Sequence, residues 1–84
     1  HGSTTAAYEG QLCYDNNWLV NVGEMQPGDL IFYSYEKNGR FMDISHVAIY
    51  AGNGMAVEAA NARLGVVYRP VQSRSSIVMV GRPR

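Results

Sequence analysis

The chain has little cysteine, almost no lysine and no long apolar run. Cys13 is the single cysteine among 84 residues. No internal disulfide is therefore available, and no zinc-binding spacing exists. Lys37 is the only lysine, and the other basic residues are all arginine. Seven acidic residues balance seven basic ones, giving a formal net charge of zero. That balance removes the electrostatic case for nucleic acid or an anionic membrane as partner. No run is long enough to span a bilayer, and no charged-then-apolar signal segment stands at the front. Internal repeats, low-complexity tracts and linkers are absent. No glycine-rich loop leads into a helix, so a phosphate cradle is not expected.

An apolar fraction of 46% is ordinary for a globular chain and argues against disorder. The length sets a ceiling of one domain with a modest core. His1-Gly2-Ser3 reads either as a tag scar or as native sequence. The chain opens without an initiator methionine, so further sequence upstream is expected. Arg69, Arg74, Arg82 and Arg84 gather toward the end and read as a solvated face.

The most informative stretch runs from Ile44 to Ala59. Apolar residues lead into Gly52-Asn53-Gly54, and more follow it. Gly and Asn tolerate the positive φ of a tight hairpin turn, so two antiparallel strands are predicted. His46 opens the first strand and Glu58 sits near the end of the second. An antiparallel hairpin lays those two positions side by side. A carboxylate within an apolar strand, as in Val57-Glu58-Ala59, calls for a partner. Paired, Glu58 would accept the proton on one imidazole nitrogen and leave the other free, as a base and its orienter require. The alternative is a simple buried ion pair.

Around this hairpin the chain reads as short elements. Ser3-Thr4-Thr5 is expected to cap a helix over Ala6–Glu9 that stops at Gly10. Asp15-Asn16-Asn17 is a turn, and Trp18–Val22 a short strand or extended connection. Pro27-Gly28 has the order of a type II turn. Leu30–Tyr35 is a strand, nearly continuously apolar and so expected to be buried on both faces. Glu36–Asp43 reads as a mobile surface loop. A turn over Asn61–Gly65, a strand over Gly65–Arg69 ended or edged by Pro70, a polar loop over Gln72–Ser76 and a last strand over Ile77–Val80 complete the chain. The pattern favours an antiparallel sheet, curled into a half-barrel.

Other candidate chemistry is thinner. Cys13 lies between Leu12 and Tyr14 with no capping residue before it, and reads as a small buried hydrophobe, not a nucleophile. Ser34 and Ser45 flank the region, but no Gly-x-Ser-x-Gly elbow is present. Ser45 beside His46 is expected to bond backbone. His1, His46 and Glu58 are the only plausible metal ligands, and their spacing matches no metal motif. No cofactor is implied. The tyrosines alternate as sheet packing requires and carry little basic interleaving, which leaves nucleic-acid readout without support.

Met25-Gln26-Pro27-Gly28-Asp29-Leu30-Ile31-Phe32-Tyr33, then Ser45-His46-Val47-Ala48-Ile49-Tyr50-Ala51-Gly52-Asn53-Gly54, then Val57-Glu58-Ala59, resembles the NlpC family of bacterial cell-wall cysteine peptidases. Ala48 stands where the family usually has glycine. The resemblance runs from about Gly23 to Arg82, and three motifs in order make it specific. It implies an α+β, papain-like fold with an antiparallel sheet of four to six strands. It implies a secreted or envelope hydrolase that cuts an amide bond in peptidoglycan stem peptides, typically from D-γ-glutamyl to diaminopimelate or lysine. By the same resemblance His46 falls on the catalytic histidine. Glu58 falls where a second polar residue orients it, as the aspartate of a serine-protease triad does. Ser45, Tyr33 and Tyr35 are assigned to the substrate groove by position, with the loop Glu36–Asp43.

One departure is large. The family nucleophile lies in an Asp-Cys-Ser-Gly motif at a helix start, and this chain has none. Cys13 is too close to His46 in sequence and has the wrong neighbours. Residues 1–84 are therefore expected to be the C-terminal portion of one catalytic domain, with the helix carrying the nucleophile missing and Gly2-Ser3-Thr4-Thr5 lying just after it. The partners expected are a peptidoglycan stem peptide and the missing N-terminal part of the same domain. The rival readings are a CHAP-type amidase or endopeptidase, for which Asn61 after Glu58 speaks, and a binding or structural domain that has lost the nucleophile.

Overall fold

A computed structural model describes residues 6–37, 39–61, 65–71 and 74–84, the side chains of 59–61 excepted. Among the described residues one α-helix, α1 (Ala6–Asp15), precedes six strands. These are β1 (Leu19–Val20), β2 (Leu30–Tyr33), β3 (His46–Gly52), β4 (Met55–Asn61), β5 (Gly65–Pro70) and β6 (Ile77–Gly81). They form one open sheet in the order β1-β6-β2-β3-β4-β5, with every neighbouring pair antiparallel. The last strand is thus inserted in the sheet, and β5, which carries Pro70, lies at its edge.

The helix is longer than expected. Gly10 does not end it but lies buried inside it. A Cβ there would stand 2.6 Å from Ile44 Cδ1 and 3.4 Å from Phe32, so glycine serves close approach of helix to sheet. The stop comes at Asn17, which holds φ +58. Trp18 N–H donates to Cys13 O at 2.8 Å and Asn17 N–H to Tyr14 O at 3.1 Å, which is the Schellman pattern with asparagine in the left-handed position. The cap expected of Ser3-Thr4-Thr5 lies outside the described residues. So do parts of the turn after Asn61 and of the loop at Gln72.

The strand over Leu30–Tyr35 closes at Tyr33, and residues 31–33 are fully buried. Alternation sends Phe32 to the α1 side, with Ala7, Cys13, Ile44 and Met79, and sends Ile31 and Tyr33 to the other, with Ala48 and Ala56. Burial on both faces, read from its continuous apolar character, is what the structure shows. Part of the loop after Tyr35 has local structure. Phe41–Asp43 makes a 3-10 turn, and Phe41 packs edge-on against Tyr14 of α1 with ring centroids 5.5 Å apart.

The hairpin forms as the sequence predicts. β3 and β4 meet through Asn53-Gly54, at φ +55 and +76, as a two-residue turn with both central residues left-handed. The Pro27-Gly28 turn also forms, with Gly28 at φ +98 and Asp29 N–H donating to Gln26 O at 3.0 Å.

The solvated-face reading of the C-terminal arginines fails for Arg82. Its guanidinium grips the buried Asp29 carboxylate through two bonds of 2.8 and 2.9 Å. Asp29 also accepts Gln26 N–H at 2.8 Å, which locks the turn. The hydrogen bonds from Arg82 hold the Asp29 carboxyl below its ordinary range against the opposing effect of burial.

Candidate active site

Register places the polar side chains. Tyr33 pairs with His46, and Ile49 with Val57, so Ala48 lies beside Glu58 on the face away from α1. On the far side Glu58 pairs with Val67 and Ala56 with Arg69. Arg69 is thus a diagonal neighbour of Glu58 on one face, a gap a long side chain spans.

The side chains converge as the register permits. His46 Nε2 lies 2.7 Å from Glu58 Oε1. Arg69 Nη2 donates to the same oxygen at 2.8 Å. Glu58 is fully buried, the His46 side chain is 23% exposed and that of Arg69 is 50% exposed. Burial alone would push the Glu58 carboxyl up; the bonds from Arg69 and His46 outweigh it and hold the group below the usual carboxylate range. An ionised Glu58 accepts only, so Nε2 carries a proton and donates it. In neutral His46 that leaves Nδ1 as the acceptor, without a partner among the described residues.

Aromatic rings back this group. Tyr33 and His46 lie near-parallel with centroids 5.9 Å apart, Tyr35 and His46 likewise at 6.2 Å, and Tyr33 and Tyr35 at 5.8 Å. Tyr33 is fully buried, whereas Tyr35 is 49% exposed. Ser45 is exposed, and its Oγ accepts Tyr35 N–H at 3.3 Å, which ties the segment after β2 to the start of β3. The imidazole is therefore held at its edge by a carboxylate and packed against two tyrosine rings.

Cys13 is elsewhere. It is 1% exposed in the cluster between α1 and the sheet. Burial pushes its thiol up and Glu9 adds to this, the opposite of what a nucleophile needs. Among the described residues no three His, Cys, Asp or Glu side chains converge as a metal site would require.

Arg69 is the member that the sequence hides, where it reads as part of a solvated face. An arginine on a strand next to a buried glutamate was the available signal.

The α1 side of the sheet is incompletely covered. Leu30, Val47, Ile49, Val57 and Val66 line a cavity of about 260 Å³ there. Ile49, Val66 and Tyr68 are 48%, 69% and 64% exposed. A second apolar cavity of about 400 Å³, with Tyr8, Leu12 and Trp18, adjoins it through Glu9 and Leu30.

The model of the NlpC/P60 family matches residues 4–80. The chain belongs to the NlpC/P60 family. It is 41% identical over 46 residues to a probable endopeptidase p60 of Listeria seeligeri, and 37% over 46 residues to that of Listeria grayi. Each match covers 55% of this NlpC/P60 chain but 8% of the relative's length. Among solved structures, an NlpC/P60 family protein from Bacillus cereus superposes with a TM-score of 0.61 at 25% identity, over 76% of this chain and 21% of that one. The peptidoglycan hydrolase RipB from Mycobacterium tuberculosis gives a TM-score of 0.58 at 33% identity, over 76% of this chain and 29% of that one.

Proposed function

We propose that residues 1–84 are the strand-rich, C-terminal portion of a papain-like catalytic domain that hydrolyses an amide bond in peptidoglycan stem peptides, at the cell envelope or outside it. The observation that carries this is the His46–Glu58 pair, with Nε2 held by a buried carboxylate and Nδ1 left without a partner among the described residues. The family and the RipB likeness support the substrate class.

In this reading the nucleophile is a cysteine on an upstream helix, and the rest of the domain covers the apolar α1 side at Ile49, Val66 and Tyr68. His46 Nδ1 takes the thiol proton and the imidazolium holds the thiolate as an ion pair. The thiolate attacks the scissile carbonyl, and His46 returns the proton to the leaving amine. Neutral His46 then draws a proton from water as it attacks the acyl-enzyme. Glu58 fixes the tautomer and balances the imidazolium. The bond cut is of the D-γ-glutamyl to diaminopimelate or lysine type. Exposed Tyr35 and Ser45 border the groove, and buried Tyr33 forms the floor under the imidazole.

The test replaces His46 with Ala in the full-length protein and measures stem-peptide release from purified cell walls. Loss of release is expected, and unchanged release would remove His46 from the mechanism. A full-length gene without an upstream cysteine would sink the peptidase reading.

A further inference from the structure

Glu58 is a buried carboxylate with unequal oxygens. Oε1 takes both donors, His46 Nε2 at 2.7 Å and Arg69 Nη2 at 2.8 Å. Oε2 is buried and has no hydrogen-bond partner among the described residues. Such a group is costly to keep ionised unless a positive charge stays beside it. His46 is not a constant charge, because in the proposed reaction it passes between imidazolium and imidazole. Arg69 is charged at every working pH.

The consequence concerns where the proton sits. If Glu58 became a neutral acid in the imidazole stage, its O–H could donate to Nε2. Nδ1 would then carry the proton and could not accept one from a thiol. A permanent charge on Oε1 opposes that exchange. Among the described residues the charged groups bonded to Glu58 are His46 from β3 and Arg69 from β5, and Glu9 of α1, an acid, lines the same cavity as Glu58. Tyr33 of β2, and Tyr35 just after it, interact electrostatically with Arg69. Neither tyrosine brings positive charge.

We infer that Arg69 is a positioning residue that keeps Glu58 a carboxylate through the whole cycle, so that proton transfer is confined to His46. This rests on the reading of His46 as the catalytic base. Arg69 acts from an exposed edge strand and through Glu58, with half of its side chain open to solvent. Among the described residues its hold on Glu58 is a single charge-assisted bond, from Nη2 to Oε1.

The test follows the Glu58 side-chain carbon by NMR through a pH titration of the full-length protein, in wild type, Arg69→Gln and Arg69→Lys. Loss of an opposite charge at this distance raises a carboxyl midpoint by about 1–3 pH units. That rise is expected for Arg69→Gln, and Arg69→Lys is expected to restore most of the wild-type midpoint. The acidic limb of kcat/KM should move up with the Gln variant and return with the Lys variant. A merely structural arginine would change the unfolding midpoint and leave both titrations in place. A folded Arg69→Gln protein with a wild-type Glu58 midpoint overturns the inference, as does a Lys variant shifted as far as the Gln one. Should the Gln variant not fold, Arg69→Met keeps the aliphatic stem on β5 and carries the same expected rise. The carbon titration needs no turnover, so its failure is separable from failure of the hydrolase reading, which the His46→Ala assay decides.

Discussion

Glu58→Gln separates charge from orientation at the dyad. Glutamine has the same shape, and its amide oxygen can replace Oε1 as acceptor for His46 Nε2 and Arg69. Its NH₂ then falls at the Oε2 position, which is buried and without a partner among the described residues. The imidazole stays oriented and loses the carboxylate that balances its charge. A hydrogen bond to a charged group contributes about 1.5–3 kcal/mol and a neutral one about 0.5–1.5 kcal/mol. The difference, about 1–1.5 kcal/mol, predicts roughly a tenfold fall in rate. Glu58→Ala removes orientation as well, and losing the whole charged bond predicts a fall of about ten- to a hundredfold or slightly more. The assay is the initial rate of peptide release from purified cell walls by the full-length protein. Urea unfolding runs alongside, because the stranded amide donor should cost about 1–3 kcal/mol of stability. A wild-type rate for Glu58→Ala would refute any role for Glu58. Equal rates for the two folded variants would refute the separation of orientation from charge.

The other predictions concern the frame that holds the dyad. Asp29 has a folded pKa held below its unfolded value, chiefly by Arg82, so its stabilisation is present above the unfolded value and is lost as pH falls through the folded one. The urea midpoint should therefore drop below about pH 4. Asp29→Asn should start lower and show a shallower acid slope, and parallel profiles would contradict the clamp. Gly81→Ala places a Cβ 2.6 Å from Cys13 Sγ and 2.9 Å from Cys13 Cβ, and should cost about 1–3 kcal/mol by overpacking in urea unfolding; a neutral result would mean that α1 shifts freely. Cys13→Ala should keep peptide release within about twofold of wild type, since a buried thiol far from the dyad loses only packing. A dead but folded Cys13→Ala protein would reverse the assignment of the nucleophile.

The sequence made the hairpin legible because its signals are local. Gly52-Asn53-Gly54 demands left-handed backbone, and a two-residue turn then fixes which residues oppose each other. That register carried on unbroken would set Glu58 opposite Ile49; an irregularity between Tyr50 and Gly52 shifts it opposite Ala48, onto the face of His46. Gly10 misled because a glycine inside a helix and one that ends it look alike in sequence. The difference is Ile44, thirty-four residues on, whose side chain fills the space a Cβ would need. Arg69 and Arg82 were hidden for a related reason. Asp29 and Arg82 stand 53 positions apart, and Glu58 and Arg69 eleven, across a register that shifts between Ala59 and Asn61. An exposed arginine that reaches a buried carboxylate has the same composition as one that does not.

The alternation of the pleat joins the two faces of β4 and β5. One row, Val57 with Tyr68 and the exposed Val66, points to the incompletely covered α1 side. The other, Glu58 with Arg69, points to the dyad. β5 is an edge strand, paired among the described strands with β4 alone. Whatever packs on Val66 and Tyr68 therefore also steadies the strand from which Arg69 reaches Glu58. A segment of the domain seated on that row would, through β5, fix the charge that keeps the His46 tautomer ready.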